Sequence, residues 1–162
     1  MKRNWFALLA CIASFCASLA CAQIPQYAGR NITLEEAKKV VAAGIAESKK
    51  RGWPMTVAVV DTAGILVAFE KMDNCQNGSA MIAQDKAVAS AMLRRPTKLF
   101  QDQVTGGGLG TRYLTLRYSS NAAVEGGLPL MIDGKIIGAV GTSGMAYNED
   151  GEIAKAAADG LK

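Results

Sequence analysis

The sequence predicts an α+β domain, a mainly antiparallel sheet with helices grouped around it. Three observations carry that prediction. An Asp133-Gly134 dipeptide joins two apolar runs, Thr33 and Glu36 form a capping box ahead of a helical apolar stripe, and an alanine-rich helical segment separates two pairs of β-rich runs.

The first 22 of the 162 residues read as a targeting segment, not as part of the fold. Lys2 and Arg3 make a basic start, Phe6 to Ala20 an apolar stretch too short to span a bilayer comfortably, and Ala20-Cys21-Ala22 an A-x-A cleavage site. Cleavage after Ala22 and export to the periplasm or medium are expected. Lipidation at Cys21 is the alternative, with a serine, Ser18, standing where a bulky aliphatic residue is usual. Residues 23–162 then form one ordinary domain, since no linker or repeat divides them.

Thr33 and Glu36 cap a helix whose apolar stripe runs through Leu34, Ala37, Val40, Val41 and Ile45, and Gly52 ends it. Lys49, Lys50 and Arg51 suit its C-terminal end. Met55 to Val60 and Ile65 to Phe69 read as strands joined by Asp61-Thr62-Ala63-Gly64, with glycine at a left-handed position. Ser79 to Leu93 has helical spacing through Ala80, Ala83, Ala87 and Ala91, and Pro96 forbids continuation much beyond Arg94. Thr97 to Val104 is a short helix with a threonine cap, broken by the glycines at 106–108 and 110.

That glycine cluster lacks the Lys-Ser/Thr of a phosphate-binding loop and reads as a flexible loop or lid. Arg112 to Ser120 fits helix and strand almost equally. Leu128 to Asp133 and Ile136 to Val140 form the last hairpin, and Gly138, Gly141 and Gly144 within it suggest close approach of another backbone or a ligand. Asn148 is placed to cap the final helix, with Glu149, Asp150 and Glu152 in its first turn facing the helix dipole.

Composition narrows the function. Of 18 Lys and Arg, two lie in the targeting segment, which leaves 16 against 14 Asp and Glu, a balance that argues against a nucleic-acid or other polyanion surface. Beyond residue 22 the only cysteine is Cys75, so no internal disulfide forms there. The thiol is either buried and inert or free for a bridge, a soft ligand or redox chemistry. The chain has no histidine at all. This removes Ser-His-Asp and Cys-His catalysis, the usual zinc sites and the commonest general base near neutral pH.

Several residues remain as site candidates. Lys86, mid-helix among alanines, can meet a carboxylate as a point charge, and Arg94 and Arg95 can clamp an anion, although cations also suit that helix end. Glu125 precedes Gly126 and Gly127, whose bare backbone could floor a pocket with Pro129 as a stiff wall. Glu125 is the best general base if the protein is an enzyme, with Lys86 or Arg95 as electrostatic stabiliser. Met72 and Cys75, three residues apart, could hold a soft metal or haem iron, while methionines also serve as core filler.

Val59-Val60-Asp61, Lys71-Met72-Asp73-Asn74-Cys75, Gln84-Asp85-Lys86-Ala87, Arg94-Arg95-Pro96-Thr97-Lys98, Glu125 to Pro129 and Asp133 to Gly141 stand in an order and spacing that resembles the GlcG/HbpS family. The likeness runs from about Thr33 to Leu161 and is closest to the branch associated with glycolate utilisation. It implies a profilin-like sandwich of about five antiparallel strands flanked by helices, assembly into homo-oligomers, and haem or another tetrapyrrole as ligand. The candidate ligand-binding set is then Lys86, Arg94, Arg95, Thr97, Glu125, Gly126, Gly127 and Pro129. Where relatives use histidine toward haem this chain has none, so ligation falls to Met, Cys, Tyr, Lys or a Thr hydroxyl, or is absent. Two readings follow. One is an exported haem- or tetrapyrrole-binding protein with an oligomeric pocket; the other is a small isomerase- or lyase-like enzyme for a hydroxy- or keto-acid, using Glu125 and Lys86.

Overall fold

The computed structural model describes residues 24–108 and 123–162. Among these residues eight elements follow one another: α1 (Leu34–Arg51), β1 (Thr56–Asp61), β2 (Leu66–Lys71), α2 (Ser79–Leu93), α3 (Lys98–Thr105), β3 (Gly127–Ile132), β4 (Lys135–Ser143) and α4 (Tyr147–Asp159). The strands form one antiparallel sheet in the order β2-β1-β4-β3. The α+β class and the antiparallel sheet stand as expected. The strand number differs, because four are present among the described residues instead of about five, and Arg112 to Ser120, the one ambiguous segment, lies outside them, as does the expected targeting segment.

The local chemistry explains each boundary. Thr33 accepts the Glu36 N–H while Glu36 accepts the Thr33 N–H at 2.8 Å, and Gly52 ends α1 at φ 70°. Asp61 Oδ1 accepts from the N–H groups of Ala63 and Ile65 and so builds the β1–β2 turn. Asp133 and Gly134 sit at φ 50° and 72°, the two positive values that a type I′ hairpin requires.

Two expected caps are corrected. Asn148 lies inside α4; the cap position is Ala146, whose N–H is accepted by the Glu149 carboxylate at 2.9 Å. Thr97 makes no cap bond to α3, because its hydroxyl accepts the N–H of Gly127 instead, 30 residues away. In both cases a partner supplied by tertiary structure or by a neighbouring glutamate displaced the expected local bond.

The central strands β1 and β4 are buried on both faces. On one face, Val40, Val41 and Ile45 of α1 and Ile153 and Ala157 of α4 meet Val57, Val59, Ile137 and Val140. On the other, Ala87 and Ala91 of α2 meet Val60 and Ala139. That second layer is thin because only small residues occur along it. A Cβ on Gly141 would collide with the backbone of Ala83 and Ala87, so glycine there sets the α2–β4 separation. Gly138 and Gly144 likewise face the backbone of Val60 and Pro54.

Candidate functional site

Ser79, Ile82 and Lys86 recur at helical spacing and therefore share one face of α2. That face looks toward the start of α4, and it buries a charge: Lys86 is 1% exposed. Its Nζ donates to Asp150 Oδ2 at 2.6 Å and to the carbonyl of Thr142 at 3.1 Å. Asp150, 3% exposed, accepts the N–H of Met145 through Oδ1 at 3.1 Å. Burial lowers the Lys86 pKa and raises that of Asp150, while each partner's charge opposes the other's shift, so each group's charged form depends on the other in a medium that disfavours both.

Gly126 and Gly127 serve this pair. Gly126 sits at φ 125°, and a Cβ on it would lie 2.9 Å from Lys86 Nζ. A Cβ on Gly127 would press on the Lys86 carbonyl and on Thr97. The Gly127 N–H donates to Thr97 Oγ1 at 2.9 Å, and the Thr97 N–H returns a bond to the Gly127 carbonyl at 3.0 Å. The bare backbone thus makes room for a buried lysine of the same chain. Glu125 lies against Gly151, just past the first turn of α4, and its charge adds to the field that favours protonated Lys86.

Lys86 and the two arginines among the sequence-derived candidates fall into two places. Lys86, together with Asp150, borders a cavity of about 180 Å³ whose walls mix Gln76, Ser79, Ser143 and Tyr147 with the apolar Ile82, Val124 and Met145. Arg94, Arg95 and Pro129 line a separate, larger groove of about 500 Å³ with Leu99, Leu128 and Met131, and its walls are mostly apolar. Arg94, in the left-handed region at φ 55°, ends α2 and stacks 5.4 Å from the Tyr27 ring. Arg95 spends its Nε on the carbonyl of Leu93.

Met72 and Cys75 line neither space. The Met72 sulfur accepts the N–H of Met55 and packs on the core beneath α1, while Cys75, buried, places its sulfur 3.3 Å from Thr56 Oγ1. No cluster of three or more His, Cys, Asp or Glu side chains able to hold a metal occurs among the described residues.

Four contributors were not anticipated. Asp150 reads in sequence as one more acid in a helix first turn; its signal was indirect, since a lysine in an alanine-rich, sheet-packed helix face demands a buried counter-charge. Ser79, Ser143 and Met131 carry no sequence signal of their own.

Residues 32–159 match the family described as haem degrading protein HbpS-like. The chain is 39% identical over 112 residues to protein GlcG of Escherichia coli (strain K12), a span covering 69% of this chain and 81% of that protein. It is 33% identical over 128 residues to an uncharacterized 15.0 kDa protein from the dhaT-dhaS intergenic region of Citrobacter freundii, covering 79% and 90%. Among solved structures, Klebsiella pneumoniae protein ORFY aligns with a TM-score of 0.77 at 26% identity, covering 82% of this chain and 91% of that one. A double mutant of HbpS from Streptomyces reticuli aligns at 0.73 with 24% identity, covering 82% and 88%, and a PduOC–haem complex at 0.71 with 22%, covering 80% and 94%. The last two likenesses establish a common fold.

Proposed function

The chain belongs to the HbpS-like family of haem degrading proteins, and from that premise we propose that it is an exported small-molecule-binding protein that holds haem or a related tetrapyrrole. The observation that carries this reading is the groove beside Arg94 and Arg95. A tetrapyrrole needs a broad apolar surface for its ring and cations for its carboxylates, and the groove joins Leu99, Leu128, Pro129 and Met131 to two guanidinium groups.

The donor set fits haem in a restricted way. With no histidine in the chain, the thioether of Met131, 47% exposed on the groove wall, is the soft donor at hand. The groove is open, with Leu99 and Met131 uncovered, so a ring lying in it gains burial from a second copy of the chain. Homo-oligomer formation is part of the proposal for that reason.

Titrating haemin into the protein while recording the Soret band tests the reading. The expected result is a saturable shift, weakened about tenfold or more in Arg94→Ala/Arg95→Ala and altered in band position by Met131→Ala. Binding that all of these variants leave unchanged would place the ligand elsewhere. The enzymatic reading through Glu125 and Lys86 gains no support from the geometry, since Lys86 is already engaged by Asp150.

A further inference from the structure

The cavity at the α2–α4 junction, of mixed polar and apolar lining, holds two hydroxyls with no partner among the described residues. Ser79 is 2% exposed and Ser143 is 5% exposed, yet neither side chain makes a hydrogen bond among the described residues. No fully buried side-chain polar atom there lacks a partner, so both hydroxyls must open into the cavity they line. Both hydroxyls are therefore reachable from the cavity, and with no partner among the described residues each is free to donate to and accept from whatever enters it.

Their convergence follows from the sequence. Along α2, Ser79, Ala83, Ala87 and Ala91 form a row of small residues, and along β4, Ser143, Gly141 and Ala139 form another. Gly141 faces Ala83 and Ala87, so one step further along strand and helix brings Ser143 toward Ser79. Where the tight α2–β4 contact ends, the cavity begins, and Lys86, Asp150, Gln76 and Tyr147 stand on its other walls beside Ile82 and Met145.

We propose that this cavity is a binding site for a small, neutral polyol or hydroxycarbonyl compound. Three features select that chemistry. Hydroxyl groups both donate and accept, and so match two free serine hydroxyls and the Gln76 amide. Lys86 and Asp150 present both signs of charge at the wall, so an anion meets Asp150 and a cation meets Lys86 in a poorly screened setting. A volume of about 180 Å³ admits a molecule the size of about six waters at ~30 Å³ each. This site is separate from the Arg94–Arg95 groove and stands whether or not haem binds there.

Glycerol is the probe, titrated into isotopically labelled protein while backbone amide shifts are recorded, with propionate as a matched anionic arm. Saturable shifts are expected at Ser79, Ser143, Gly144 and Met145 with glycerol and not with propionate. Ser79→Ala and Ser143→Ala, singly and together, weaken the glycerol effect by about tenfold or more, because each strands a ligand hydroxyl. The single variants keep the test valid if the double variant folds poorly. Linear, non-saturating shifts, tighter binding of propionate, or glycerol binding indifferent to both serines would each overturn the assignment.

Discussion

Lys86 is the residue on which the rest of the α2–α4 junction depends. It brings a full charge into the interior, and Asp150, the Thr142 carbonyl and the bare Gly126 exist around it as compensation. Removing one partner strands the other, so Lys86→Met and Asp150→Asn should each lower unfolding free energy by about 3–5 kcal/mol in urea titrations. Lys86→Met combined with Asp150→Leu should cost clearly less than the two single changes added, because no unpaired charge remains. A double variant as damaged as the sum would mean the pair acts through packing and not through charge.

Elements carry two further expectations. At the start of α1, hydrogen bonds from Arg30 first, and from the Thr33 backbone second, lower the Glu36 pKa from 4.5 to about 2. A depressed carboxylate contributes stability that is present above its unfolded value and lost on acidification. The contribution should therefore be complete above pH ~4.5 and disappear as pH falls toward ~2. Glu36→Gln should flatten that acid limb in thermal melts, and Thr33→Ala should cost about 1 kcal/mol at neutral pH. In β4, Gly141→Ala drives a methyl group into the α2 backbone and should destabilise by about 3 kcal/mol or more. Gly134→Ala, in open space at φ 72°, should cost only about 1 kcal/mol. Calorimetry on the two variants separates a steric requirement from a conformational one.

At the scale of the whole molecule, what could be read in advance was what is local. The Thr33–Glu36 box, the Asp61 to Gly64 turn and the Asp133-Gly134 hairpin each depend on residues within a few positions of one another, and each formed as their chemistry dictates. Thr97 does occupy the cap position of α3, but its hydroxyl bonds Gly127, which arrives from another element, instead of the helix's own N–H groups. The site fared the same way. Lys86 stood out, but its counter-charge lies 64 residues further along, and the division of the arginines from the lysine into two separate spaces is a product of how α2 crosses the sheet. No helix among the described residues is long and apolar enough to cross a membrane.

Cys75 offers a use that its chemistry alone does not suggest. It is the only cysteine beyond residue 22, it is 5% exposed, and its sulfur lies between Thr56 Oγ1 and, at 3.8 Å, the carbonyl of Ser143. A thiol modifier can therefore reach it only when the chain between β2 and α2 lifts away from the end of β4. In protein processed after Ala22, the rate of alkylation at Cys75 becomes a clock for that opening, read without any engineered probe. Ligand held between Ser79 and Ser143 should slow the clock, while haem at the distant groove should leave it running at the same speed.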